Sequence, residues 1–145
     1  MNVDHFTFAT DTAVLCAFDP ARLTHRLNDD ADWWTVPTEE LLEVNQGNVV
    51  FLGLGTDGIY SVSIVTDLSS PSTTTNLKVE SGRVFIGAGE EVTSAGLEPE
   101  GLRGVFVTLP IGNYTVSASR KGFEVTISFK LSIQGTNDRR EPVNI

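Results

Sequence analysis

From Gly47 onward, apolar and polar residues alternate with a period of two, in short runs bounded by glycine. That spacing puts successive side chains on opposite faces of an extended chain, so it predicts strands rather than helices. Strands are expected at about 48–53, 58–66, 75–80, 83–87, 104–109, 113–119 and 123–132. In the last run Phe123, Val125, Ile127, Phe129, Leu131 and Ile133 alternate with Glu124, Thr126, Ser128, Lys130 and Ser132. One face of that strand should meet the core and the other water. Thr56-Asp57-Gly58, Ser81-Gly82 and Lys121-Gly122 carry the residues of tight turns. Ser69 to Thr75 reads as a linker, Gly89 to Gly101 as a longer loop, and the polar stretch from Gly135 to Ile145 as a frayed tail.

The N-terminal third follows a different pattern. His5 to Phe8 and Thr12 to Phe18 form two further strands. At Asp19-Pro20 a capping carboxylate and a first-turn proline predict a short helix, with Leu23 and Leu27 on one face. A second short helix should start at Thr38, with Glu39 and Glu40 favourably placed at its positive end. Leu41, Leu42 and Val44 would be its buried side, and Gln46-Gly47 its stop.

A short phrase occurs twice. Val50-Phe51-Leu52-Gly53-Leu54-Gly55 precedes Gly58-Ile59-Tyr60-Ser61-Val62-Ser63, and Val84-Phe85-Ile86-Gly87-Ala88-Gly89 precedes Gly112-Asn113-Tyr114-Thr115-Val116-Ser117. Such a repeat suggests two related β-units. The expected fold is therefore mainly β: an antiparallel β-sandwich or bent sheet built from two such units, with two short helices inserted near the N-terminus. Residues 1–145 form one domain, with a first unit over 1–68 (helical insert at 19–45), a second over 75–134, and a flexible tail over 135–145. Phe51 should match Phe85, and Tyr60 should match Tyr114.

Charge narrows the function. The net charge is −9, and residues 1–75 hold 11 acids against two bases, Arg22 and Arg26. Residues 76–145 hold eight of each. A surface of this sign repels phosphates and anionic lipid, which argues against nucleic-acid and membrane partners and favours a basic protein. A solubilising face is the other reading of the same charges. No apolar run approaches a membrane span, and no basic-then-apolar leader precedes the first strand, so a cytoplasmic location is expected. Cys16, the only cysteine, sits in an apolar run and reads as a buried structural thiol.

Motifs for chemistry are few. His5 and His25 with one cysteine make no zinc spacing, and no Gly-x-Ser-x-Gly elbow occurs. Gly53-Leu54-Gly55-Thr56-Asp57-Gly58 matches a nucleotide-binding fingerprint, but a strand follows it where phosphate needs the amides of a helix. Asp29-Asp30-Ala31-Asp32 lacks the ligand ladder of a calcium loop. No cofactor and no metal are expected. Trp33-Trp34 beside those aspartates has the make-up of a protein-binding hot spot, of a sugar-stacking platform, or simply of core-edge packing.

The runs Thr10 to Pro20, Asp29 to Trp34, Gly53 to Tyr60, Gly82 to Glu90 and Leu109 to Tyr114 resemble a group of uncharacterised small bacterial proteins. In type, the chain is similar to cytosolic immunity proteins that neutralise bacterial toxins. The resemblance implies a non-catalytic module that covers a basic toxin. The partner-facing residues expected from the charge pattern are Asp29, Asp30, Asp32, Trp33, Trp34, Glu39, Glu40 and Glu43. A small-ligand or carbohydrate binder using Trp33, Trp34, Tyr60 or Tyr114, and a carboxylate-dependent enzyme, remain as alternatives.

Overall fold

In the computed structural model, which describes residues 3–94 and 101–145, nine strands build two sheets. In chain order they are β1 (His5–Thr10), β2 (Val14–Phe18), β3 (Val50–Gly53), β4 (Gly58–Val65), β5 (Thr73–Val79), β6 (Arg83–Ala88), β7 (Gly104–Thr108), β8 (Gly112–Lys121) and β9 (Glu124–Ser132). One sheet has the order β1-β4-β9-β8-β5 and the other β3-β2-β6-β7. Every strand expected from the alternation is present. Thr73, Thr74 and Thr75, expected in a linker, open β5. They are β-branched, and Thr75 is buried among the inward-facing residues of that strand.

The inner faces of both sheets meet in one core. Phe6 and Phe8 of β1, Tyr60 and Val62 of β4, Leu77 of β5, Val116 of β8 and Ile127 of β9 face Leu15, Leu52, Val84, Ile86 and Val107 of the other sheet. Six of the seven strand ladders are antiparallel, and β4 and β9 run parallel. A wholly antiparallel arrangement is therefore corrected. The alternating face of β9 is buried only in its middle. Val125 and Ile127 are enclosed, whereas Phe123, Leu131 and Ile133 lie beyond the cover of the second sheet and are exposed.

A third layer covers the outer face of the four-stranded sheet. Cys16, Phe18, Phe51 and Phe85 point outward there, and Leu23, Trp33, Trp34, Val44, Val49 and Val92 bury them. The helix expected after Asp19 resolves into two separate 3-10 turns, Pro20–Arg22 and Thr24–Arg26, and a third 3-10 turn spans Trp33–Thr35. Leu27 is consequently exposed, since no continuous helix face carries it inward beside Leu23. Helix α1 (Pro37–Asn45) is the second expected helix. It begins on Pro37 after an uncapped Val36, one residue before the expected Thr38 cap. Leu42 lies on its wet side, with Val44 buried. Gly47, at φ 78°, ends it.

The duplicated phrase preserves local chemistry and not direction. Phe51 and Phe85 both sit in the outer cluster of the four-stranded sheet. Tyr60 and Tyr114 both enter the central core, and each donates its hydroxyl to the carbonyl four residues upstream, Thr56 and Pro110, at 2.6 Å. Yet β3 and β6 both run antiparallel to β2, and so parallel to each other, while β4 and β8 run in opposite directions alongside β9. One rigid-body superposition cannot map β3–β4 onto β6–β8. Each sheet also draws strands from both halves of the chain, so the halves are not separate units. For the same reason Thr56-Asp57-Gly58 is not a hairpin turn. It lies in a crossover between sheets.

The segment expected to fray is a strap. Asn137 donates its side-chain amide to the carbonyls of Val44 and Asn76 and accepts from the Asn76 N–H. Asn45 and the Arg139 backbone exchange two hydrogen bonds at 2.7 and 3.0 Å. The Arg139 guanidinium reaches the Thr73 hydroxyl and the Thr74 carbonyl. Farther on, Gly53 bonds Val143 and Ile145 through its backbone. These polar residues find backbone partners far away in sequence, which composition alone does not announce.

Candidate functional site

The acidic stretch of the sequence divides into buried and exposed carboxylates. Asp19 is fully buried. It accepts the N–H of Ala21 at 3.0 Å, those of Glu80 and Ser81 at 2.8 and 2.6 Å, and the Ser81 hydroxyl at 2.7 Å. It therefore clamps the start of the third layer to the β5–β6 turn. Glu43, only 2% exposed, accepts from Asn48 at 2.8 Å, from Arg26 Nε at 2.8 Å, and contacts His25 Nε2 with both oxygens. A partner cannot reach it, which corrects its expected place on the binding face.

Arg26 is the hub of this arrangement. Its Nη1 reaches Asp29 at 3.0 Å and Glu39 at 3.2 Å, and its guanidinium lies 4.5 Å from the centre of the Trp33 ring. Burial works against its charge, but the bonds to Glu43, Glu39 and Asp29 outweigh it and hold the guanidinium more firmly protonated than usual. Burial likewise opposes ionisation of Glu43, and the donors Asn48, His25 and Arg26 win, so its carboxyl lies below the usual value of 4.5. The sequence signal was available: Arg22 and Arg26 are the only bases in an acidic half, and such isolated bases serve as internal counter-ions.

Trp33 and Trp34 are both 6% exposed. Trp34 stacks on Phe51 with centroids 5.6 Å apart, and Trp33 meets the same ring edge-on at 6.5 Å. Both indoles fit because a 3-10 turn, unlike a strand, does not send neighbours to opposite sides. Neither offers the open ring face that sugar stacking needs. Tyr60 and Tyr114 are buried as well. The partner-facing place expected for Trp33 and Trp34 and the aromatic ligand platform are both corrected, and core-edge packing is the reading that the burial matches.

Asp29, Asp30 and Asp32 remain exposed, with Glu39 and Glu40 partly so. The Asp30-Ala31-Asp32 loop stands as a ridge between two open hollows. One, of about 490 Å³, is lined by Arg26, Asp29, Asp30, Asp32, Trp33 and Glu39 among others. The second, of about 660 Å³, has Thr12, Asp30, Asp32, Trp34, Glu90 and Thr93 along its walls. Glu90 was not expected here. It gathers the hydroxyls of Thr10 and Thr12 at 2.9 and 2.6 Å and the Asp11 N–H at 2.7 Å. Burial raises its carboxyl, but those donors overcome the effect and set it below the usual value. No local pattern pairs Glu90 with Thr12 across 78 residues. The loop acids Glu98 and Glu100 lie outside the described residues.

Glu40 behaves in the opposite way. It faces a small cavity of about 110 Å³ shared with Val14, Trp34, Phe51, Pro142 and Val143, and burial raises its pKa. Among the described residues, no three His, Cys, Asp or Glu side chains gather as metal ligands. Burial also pushes up the Cys16 thiol, which sits beneath the third layer. Among the described residues, no helix is long and apolar enough to cross a membrane.

Residues 1–145 match the family of unknown function DUF6386. No curated protein sequence matches the chain. Two solved structures share its fold. The first, described as crocagin biosynthetic gene J, has 16% identity over 89% of this chain and 96% of that one, with a TM-score of 0.57. The second is ComJ from Bacillus subtilis, an inhibitor of the DNA-degrading activity of NucA. It has 11% identity over 91% of this chain and 98% of its own, with a TM-score of 0.53.

Proposed function

The chain belongs to the DUF6386 family, and from that premise we propose that it is a non-catalytic, inhibitor-type protein that binds a basic bacterial toxin or nuclease. The observation that carries this reading is the exposed Asp29-Asp30-Asp32 ridge between two hollows, braced from below by the Arg26–Glu43 network. Exposed carboxylates speed encounter with a cationic surface, and a braced loop loses little entropy on docking. The likeness of fold to an inhibitor of a nuclease supports the same class of role.

In this reading the contact surface is narrower than the charge pattern alone suggested. Asp29, Asp30, Asp32 and Glu39 meet the partner, whereas Glu43, Trp33 and Trp34 hold them in place. A nuclease is the natural partner class, because a protein that grips DNA must carry a basic surface. Covering that surface blocks substrate without any catalytic group on the inhibitor.

The test is a titration of the purified chain against a basic toxin or nuclease encoded beside its gene. Activity should fall to zero near one-to-one stoichiometry, and the triple variant Asp29→Lys/Asp30→Lys/Asp32→Lys should need a large excess. Undiminished toxin activity at saturating inhibitor would overturn the proposal.

A further inference from the structure

Edge strands are the places where a sheet still offers unpaired backbone, and proteins usually cover or guard them. The strap covers two edges here. Gly53 of β3 bonds Val143 and Ile145, while β5 is bonded by Asn137 and by the Gly47 carbonyl. The β1 edge is different. Ile64 donates to the Asp4 carbonyl at 2.8 Å, and the register continues Phe6↔Val62 and Phe8↔Tyr60. Residues 4, 6, 8 and 10 thus spend their backbone groups on β4, and His5, Thr7 and Ala9 aim theirs away from the sheet. The neighbouring strand agrees, because Ser61, opposite Thr7, sends its N–H to Phe123 on the β9 side.

Nothing described takes up those outward groups. The turn Gly101–Arg103 lies beside β1 but makes no backbone hydrogen bond to it among the described residues. The strand His-Phe-Thr-Phe-Ala-Thr carries no lysine, proline or carboxylate of the kind that discourages strand addition. Its inner side chains Phe6 and Phe8 are locked in the core, and Glu90 holds Thr10 at its end. It is a pre-ordered template.

We infer that β1 pairs antiparallel with β1 of a second copy of this chain, about a two-fold axis at Thr7. That register sets His5 opposite Ala9, Phe6 opposite Phe8 and Asp4 opposite Thr10, so no strand position pairs two carboxylates. All three outward-facing residues find partners, giving about six backbone hydrogen bonds and one continuous ten-stranded sheet. Charge selects a copy over a basic partner. Within β1 the only ionisable side chain is His5, and the acidic ridge lies in the layer on the other sheet, where two copies keep it apart.

The test uses the whole chain. Sedimentation mass should double as concentration rises across roughly 1 µM to 1 mM, the range of a modest association. Hydrogen exchange at the Thr7 amide should slow over the same range. Thr7 is exposed, so Thr7→Lys and Thr7→Glu should fold normally by circular dichroism. Each alone should stay monomeric, because like charges would meet on the axis. Mixed one to one, they should dimerise again. A wild-type chain that stays monomeric throughout, a dimer indifferent to either charge, or a mixture that fails to reassociate would each overturn the pairing. Should either variant misfold, the concentration dependence of Thr7 exchange in the wild type decides alone.

Discussion

Asp19 and Glu43 lie on the same stretch of chain as Asp29, Asp30 and Asp32, and the two groups do opposite work. The first two are buried, with every oxygen spoken for by an amide, a hydroxyl or a cation. The other three stand in water, and among the described residues only Asp29 of them has an ion-pair partner. Formal charge does not distinguish these groups, and desolvation does. A carboxylate taken out of water must be compensated by fixed donors, so it becomes part of the architecture. One left in water is free to meet another molecule.

The largest effect expected on this contrast comes from Glu43→Ala. The change leaves the Arg26 guanidinium (10% exposed in its side chain) and the Asn48 amide without their main acceptor. Removing one partner of a buried ion pair costs about 3–5 kcal/mol. Urea unfolding should show this as a large drop in midpoint with an unchanged slope. A loss no greater than that of an exposed pair would mean that Glu43 is not the anchor.

The same carboxylate should govern acid sensitivity. Its folded pKa lies below the usual 4.5, as does that of Glu90. The stabilisation is therefore complete above the unfolded value and is lost as pH falls through the folded one. Stability should decline as pH drops below about 4.5. Glu43→Gln should start lower at neutral pH and decline less steeply. Parallel acid profiles for wild type and variant would refute this role.

Much of the fold was legible because periodicity reports burial directly. All nine strands followed from apolar patterning and glycine punctuation, and α1 from its acidic first turn, its apolar residues and the Gln46-Gly47 stop, whereas the proline at Asp19-Pro20 announced a helix that forms only as 3-10 turns. The partners of those strands were not legible. The parallel β4–β9 pair and the crossover at Thr56-Asp57-Gly58 depend on which sheet each strand joins, and local sequence carries no such label. The site was half legible. Asp29, Asp30 and Asp32 lie where a turn of polar residues must lie, at the surface. Glu43 looked equivalent because its donors come from two other places in the chain, the adjacent pair His25 and Arg26 and the later Asn48. For Trp33 and Trp34 the sequence left a hot spot, a sugar platform and core-edge packing open, and only the 3-10 turn that carries both rings to Phe51 selects the last.

Glu40 provides a smaller, opposite effect. Burial raises its pKa, so its ionisation disfavours the folded state, and stability falls as pH rises through the folded value. Glu40→Gln should therefore stabilise the protein at neutral pH. The side chain is only half enclosed, which limits the gain to about 0.5 kcal/mol. Thermal melts at pH 4 and pH 8 check the sign: the variant's advantage should appear at the higher pH only. Equal melting at both would place the carboxylate in contact with water.

The smallest effect on stability belongs to the ridge. Asp30→Lys and Asp32→Lys break no described bond or ion pair, and exposed changes of this kind stay within about 0.5 kcal/mol each. Asp29→Lys also removes the pair with Arg26. That pair is half in water and worth about 0.2–1 kcal/mol, and Glu39 and Glu43 still hold Arg26 in place. Unfolding curves of the triple variant should therefore nearly overlay those of wild type, while association with a basic partner becomes slower. The two kinds of measurement separate here as they do not at Glu43, where a loss of binding would follow from a loss of structure. Raising salt from about 0.05 to about 0.5 M should slow the wild type toward the variant, because screening removes the steering that the three aspartates supply. Stopped-flow association rates at both salts decide the matter. Equal rates for wild type and variant at low salt would leave the ridge a solubilising surface, and the partner-binding face would then lie elsewhere on the molecule.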